Sequence, residues 1–199
     1  MALNWVQMKN HSVMLVAAYR RLIDEQPRGD GKAGTEVPAP AALVMGALAI
    51  EIAFKALICK QNNISETAQL RALRVSDGGH NLLELFGHLD AETQFLFTAG
   101  FDKHFTQNRE TIIMTSLVLD EALVEEFLRP KSFHEELALA SRTFVDWRYS
   151  YELDYVSAHI SFMKYLVGRV SLLFGIPEDL RFSKPPTMHK KIRDGSGTA

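Results

Sequence analysis

The 199-residue chain holds one cysteine, Cys59, so no disulfide can form within it. Small stapled secreted folds are excluded, and a reducing interior is the natural setting. An excess of charge of one sign is also missing: 22 Lys and Arg stand against 24 Asp and Glu, a formal net charge of -2. The chain has no global attraction to nucleic acid or to an anionic membrane, and any such binding needs a local patch. Met1-Ala-Leu-Asn-Trp-Val6 lacks a basic segment, an apolar stretch and a cleavage site, so it does not read as a secretory signal. The expected location is cytoplasmic. No internal repeat is present.

Several chemical signatures are missing as well. No glutamate is followed three residues later by a histidine, as the helical di-metal carboxylate sites require. The seven histidines (11, 80, 88, 104, 134, 159 and 189) contain no His-x-x-x-His pair. No Gly-x-Ser-x-Gly turn presents a strained nucleophile. Gly29-Asp-Gly-Lys-Ala-Gly34 matches the dinucleotide-binding glycine pattern only formally, because a helix precedes it and prolines follow, where phosphate binding needs a strand before and a helix after. No metal and no nucleotide cofactor are expected.

Apolar residues make up 47% of the chain, enough for a sizeable core. Their spacing predicts an all-α fold. A first amphipathic helix is expected over about Trp5 to Asp24, then a Gly/Pro-rich loop over 27–40, then a helix from Ala41 to Cys59 that is apolar on every face. That helix approaches the length of a membrane span. Glu51 and Lys55 would each cost about 2.5–3.5 kcal/mol near a bilayer centre, so it reads as the core helix of a soluble bundle and no membrane partner is expected. Short helices are expected around Glu66 to Leu73, Leu82 to Leu89 (capped by Asn81), Ala91 to Phe105 and Asp120 to Leu128. Ile112 to Leu119 is either a short strand or a buried extended segment. Ser132 can cap a helix reaching about Tyr151, and a last helix is expected over Val156 to Phe174, ended by Gly175. The domain is expected to span residues 1–180, with a polar tail over 181–199.

Three polar groups stand out. Glu51 and Lys55 are one helical turn apart in an apolar helix, so burial requires them to pair with each other or with neighbours. In Asp146-Trp-Arg-Tyr-Ser-Tyr-Glu-Leu-Asp-Tyr155, a continuous helix would align Trp147, Tyr151 and Tyr155, with Arg148 and Glu152 on an adjacent stripe. Aromatics beside an arginine suit single-stranded RNA, the rings stacking on bases while the guanidinium holds phosphate; the same stripe also suits a core or dimer face. His80, in Gly79-His-Asn-Leu82, is either a proton carrier or a donor to a backbone carbonyl.

Ala47-Leu-Ala-Ile-Glu-Ile-Ala-Phe-Lys-Ala-Leu-Ile58, Gly79-His-Asn-Leu-Leu-Glu-Leu-Phe86 and Phe144-Val-Asp-Trp-Arg-Tyr-Ser-Tyr-Glu152, in that order, resemble the HEPN superfamily of small helical-bundle proteins. The resemblance implies a homodimer of antiparallel bundles with a long central helix. It implies RNA binding or partner binding in a stress or defence context, with or without catalysis. Active members carry Arg, four to six residues, then His on a late helix. Here Arg148 is present but Leu153, Asp154 and Tyr155 stand where the histidine belongs, and His159 lies too far on. Arg74 with His80 and Arg129 with His134 match the spacing elsewhere in the chain. The expected polar network is Glu51, Lys55, His80, Arg148 and Glu152. Catalytic candidates are Arg148, His80 and Glu152, and binding candidates are Trp147, Arg148 and Tyr151. The alternatives are a metal-independent ribonuclease with a non-standard residue set and a purely structural dimerisation module.

Overall fold

The computed structural model describes residues 2–24, 39–101, 111–115, 122, 125–126, 129–148 and 155–177. Most of the Gly/Pro-rich loop, most of the expected 120–128 helix, Tyr151, Glu152 and the tail lie outside these residues. The chain is predominantly helical. In chain order its elements are α1 (Trp5–Asp24), α2 (Ala39–Gln61), α3 (Thr67–Arg71), a 3-10 turn (Asp77–Gly79), α4 (Leu82–Gly87), α5 (Ala91–Thr98), β1 (Thr111–Thr115), α6 (Phe133–Arg148), β2 (Tyr155–His159) and α7 (Ile160–Phe174).

α2 is the hub. α1, α4, α6 and α7 all pack against it, which explains why its apolar residues point in every direction. Leu43, Ile50, Phe54 and Ile58 are fully buried. Pro40 sits in the first turn, where its missing N–H breaks no intrahelical bond. By length and composition this helix could cross a membrane, but most of it is buried against the rest of the chain. The core continues as an aromatic cluster: the rings of Phe54 and Phe97 meet edge to face at 5.1 Å, and Phe133 lies 5.2 Å from Phe86 and 5.5 Å from Phe101.

One glycine sets how closely three helices approach. A Cβ at Gly46 of α2 would stand 2.8 Å from Cγ of Met163 on α7 and 3.0 Å from the ring of Tyr19 on α1. α1 is fixed further by the Ser12 hydroxyl, which donates to the carbonyl of Ala49 at 2.8 Å. Arg20 reaches α7 through the Ser171 hydroxyl at 2.9 Å and the Pro177 carbonyl at 2.7 Å. Exposed Val6 and buried Ser12 shift the inward face of α1 away from a purely apolar stripe.

Helix ends follow known chemistry. Ser132 and Glu135 form a reciprocal cap at α6: the Glu135 carboxylate accepts from the Ser132 amide at 2.7 Å, and the Ser132 hydroxyl accepts from the Glu135 amide at 3.3 Å. α7 ends in a left-handed Gly175 (φ +64°), with the Ile176 amide donating to the Ser171 carbonyl and the Gly175 amide to that of Leu172.

Two expected helices are corrected. The last helix begins at Ile160, because Tyr155–His159 is a strand paired antiparallel with β1, in register from Thr111 opposite His159 to Thr115 opposite Tyr155. Tyr155 and Val156 have ring and β-branched side chains that favour this extended backbone once a partner strand exists. Tyr155 therefore cannot join Trp147 in one helical stripe. α5 stops at Thr98, short of Phe105, because Ala99 leaves helical geometry and Gly100 takes φ +78°. The Tyr165 hydroxyl donates to the freed carbonyls of Phe97 and Ala99 at 2.6 and 3.1 Å.

Candidate functional site

Glu51 lies midway along α2, where its neighbours Ile50 and Ala53 are fully buried, and its own side chain is only 5% exposed. A carboxylate so placed is stable only if its oxygens are satisfied. Both are. Nζ of Lys55, one turn along the helix, donates to Oε1 at 2.7 Å, and Nδ1 of His80 meets Oε2 at 2.8 Å. Because an ionised carboxylate only accepts, this geometry puts the hydrogen on Nδ1 and makes Nε2 the basic nitrogen of the neutral ring.

His80 reaches Glu51 because of the turn that carries it. Within six residues the backbone enters the left-handed region three times, at Arg74 (φ +53°), Asp77 (φ +53°) and Gly79 (φ +92°). The arginine and aspartate conformations are unfavourable for residues with a Cβ, so surrounding contacts must impose them. Glu84 supplies several of these. Its carboxylate accepts from the amide of Ser76 at 2.6 Å and from the Ser76 hydroxyl. The Ser76 hydroxyl and amide together hold the Glu84 carboxyl below the usual carboxylate range. Asn81 caps α4 by accepting from the Glu84 amide at 3.1 Å, and its amide group donates to the Ser76 hydroxyl at 3.1 Å. α4 is tied to α6 through the Leu83 amide, which donates to the Ser141 hydroxyl at 3.0 Å.

Beside this network lies a pocket of about 430 Å³. α2 contributes Lys55, α3 contributes Thr67, Leu70 and Arg71, the turn contributes Val75 and Gly79, and α4 contributes Leu85. Leu70, Val75 and Leu85 are aliphatic, Lys55 and Arg71 are cationic, and no carboxylate is among the described lining residues. Gly79 forms the wall next to Lys55, where a Cβ would stand in ordinary contact, 3.6 Å from Nζ.

Of the five residues expected in one polar network, Glu51, Lys55 and His80 are joined by hydrogen bonds. Arg148 is the last residue of α6, as Trp147 is the one before, but their side chains are outside the described part. Glu152 and Tyr151 also lie outside it. The Arg74–His80 spacing match falls in the strained turn. In the Arg129–His134 match, Arg129 is committed to Glu126 and Glu135 at 2.8 and 2.9 Å. Among the described residues no group of three His, Cys, Asp or Glu side chains is gathered to hold a metal ion.

Arg71 was passed over in the sequence because it sits in a short polar stretch without periodicity. Glu136 is a second omission. It is 1% exposed on α6, and its position three residues after Phe133 and four before Ala140 placed it on the inward face. No protein-family model matches this chain, and no characterised protein and no solved structure matches it.

Proposed function

We propose that the chain is a HEPN-like helical-bundle protein that acts as a homodimer and binds RNA, receiving a phosphate in the pocket that Lys55 and Arg71 line. The observation that carries this reading is the buried Glu51, which fixes the ammonium of Lys55 in a pocket that the Arg71 guanidinium also lines and holds the imidazole of His80 on its other oxygen. A network serving only helix register has no need to spend a carboxylate on a partly exposed histidine from a strained turn. Arg148 belongs to the proposed RNA surface as a phosphate contact from the end of α6.

The test is fluorescence anisotropy with single-stranded RNA, repeated with Arg71→Gln and Arg148→Ala. Binding that weakens in both variants, with a shallower salt dependence than that of the wild type, supports the reading. RNA affinity that is absent in the wild type, or unchanged in both variants, rejects it in favour of a structural dimerisation module.

A ribonuclease reading draws on one specific observation, the Nδ1 contact to Glu51. It leaves Nε2 as the ring's basic atom, suited to take the proton of a ribose 2′-hydroxyl while a neighbouring cation stabilises the phosphorane. Incubation with mixed RNA, with and without chelator, tests it. No cleavage across several RNA classes removes catalysis and leaves binding intact.

A further inference from the structure

We infer that the pocket between α2, α3 and the 74–80 turn is a nucleotide site that takes a terminal phosphomonoester, whether of a free mononucleotide or of an RNA end. This deepens the proposed RNA reading by naming the part of the ligand that enters. Three observations converge on it.

The first is charge. Lys55 and Arg71 both line the pocket, and no carboxylate is among its described lining residues. Lys55 has one of its three donors on Glu51. Arg71 makes no ion pair among the described residues. An exposed guanidinium with no ion pair among the described residues, lining the same pocket as an ammonium held in place by another residue, suits a doubly charged oxyanion.

The second is shape. At about 430 Å³ the pocket falls within the ~300–1,000 Å³ range of small-molecule sites. Leu70, Val75 and Leu85 give the apolar surface against which a base or ribose can lie. No aromatic ring is among the described lining residues, which favours weak base stacking and weak discrimination between the four bases.

The third is the turn. Gly79 is held at φ +92°, a backbone conformation that a side chain would strain, and it lines the pocket beside Lys55. His80, the next residue in the chain, is held by Glu51, whose other oxygen holds Lys55 of the pocket wall. Lys55 is thus positioned by Glu51 before any ligand arrives, which limits the ordering cost of binding.

The experiment measures affinity by isothermal titration for AMP, CMP, GMP and UMP, for the matching nucleosides and for octanoate. It also compares a short oligoribonucleotide bearing a 5′-phosphate, a 3′-phosphate or hydroxyls at both ends. The expected result is binding of all four monophosphates, with the nucleosides at least about tenfold weaker, as loss of one charge-assisted contact produces. Arg71→Gln should remove that difference, and Leu70→Trp, which fills the pocket, should abolish monophosphate binding while the thermal midpoint shows the fold intact. A preference for one phosphorylated oligonucleotide end assigns the natural source to RNA; binding of mononucleotides alone assigns it to the free nucleotide, and then the site stands while the RNA reading falls. Equal affinity for nucleosides and monophosphates, a preference for octanoate, or a phosphate preference that survives Arg71→Gln overturns the inference. RNA that binds without regard to its ends and independently of Leu70→Trp overturns the inference and leaves the RNA reading standing.

Discussion

Nδ1 of His80 lies 2.8 Å from Oε2 of Glu51, joining residues 29 positions apart in the chain. The contact links a buried carboxylate on the core helix to a partly exposed ring on a strained turn. It makes Glu51 the most informative position in the molecule.

Glu51→Gln keeps the shape but removes the charge that Lys55 and His80 share. Loss of hydrogen bonds to a charged, largely buried group costs about 1.5–3 kcal/mol. Urea denaturation should therefore show a midpoint well below that of the wild type. In nitrogen-15 spectra the His80 ring should shift from the Nδ1–H tautomer toward a mixture. An unchanged tautomer in the variant would show that Glu51 does not orient the ring.

Gly46→Ala pits two effects against each other. Alanine favours a helix over glycine by about 0.8–1.0 kcal/mol, whereas overpacking a close-packed core costs about 1–3 kcal/mol. The contacts at 2.8 Å to Met163 and 3.0 Å to the buried Tyr19 ring decide for overpacking. A lower thermal midpoint is expected, and a lower one still for Gly46→Val. A stabilised Gly46→Ala would contradict the close approach of α1, α2 and α7.

Glu135 gives a pH signature. The Ser132 amide, and after it Arg129, lower its carboxyl from 4.5 to about 2. A carboxyl depressed in the folded state stabilises it above the ordinary value, and the contribution is lost as pH falls through the folded value. The wild-type advantage over Glu135→Gln in thermal midpoint should be constant above about pH 4.5 and shrink toward pH 2. An advantage that persists undiminished at the acid end would count against the cap at the start of α6.

Arg148→Ala and His80→Ala separate binding from chemistry. The first should weaken RNA binding in anisotropy, with a shallower salt dependence by about one counterion. The second should leave most affinity and remove any cleavage. Cleavage retained in His80→Ala would exclude the Glu51–His80 pair as its source.

The long helices were legible because their signals are local. Trp5 to Asp24 carries a helical period, and α2 announces its burial by being apolar on all sides. The cap at Asn81 and the stop at Gly175 were legible for the same reason. Val156-Ser-Ala-His159 reads as the start of the last helix because no Gly or Pro separates it from Ile160, and only the distant Thr111–Thr115 makes it a strand. The contact of His80 with Glu51 depends on left-handed backbone at Arg74 and Asp77, for which no residue type is a reliable marker. Arg71 gains its meaning only from the pocket around it.

α2 is covered by four other elements, so its amides can exchange with solvent water only when the whole bundle opens. The 74–80 turn is fastened chiefly by Glu84, which is exposed, to Ser76 and Asn81. Glu51 and His80 therefore belong to parts of the molecule with different lifetimes in the closed state. Release of the turn alone separates them while the bundle stays folded, and hydrogen exchange at residues 76–81 would register that event long before any amide of the central helix.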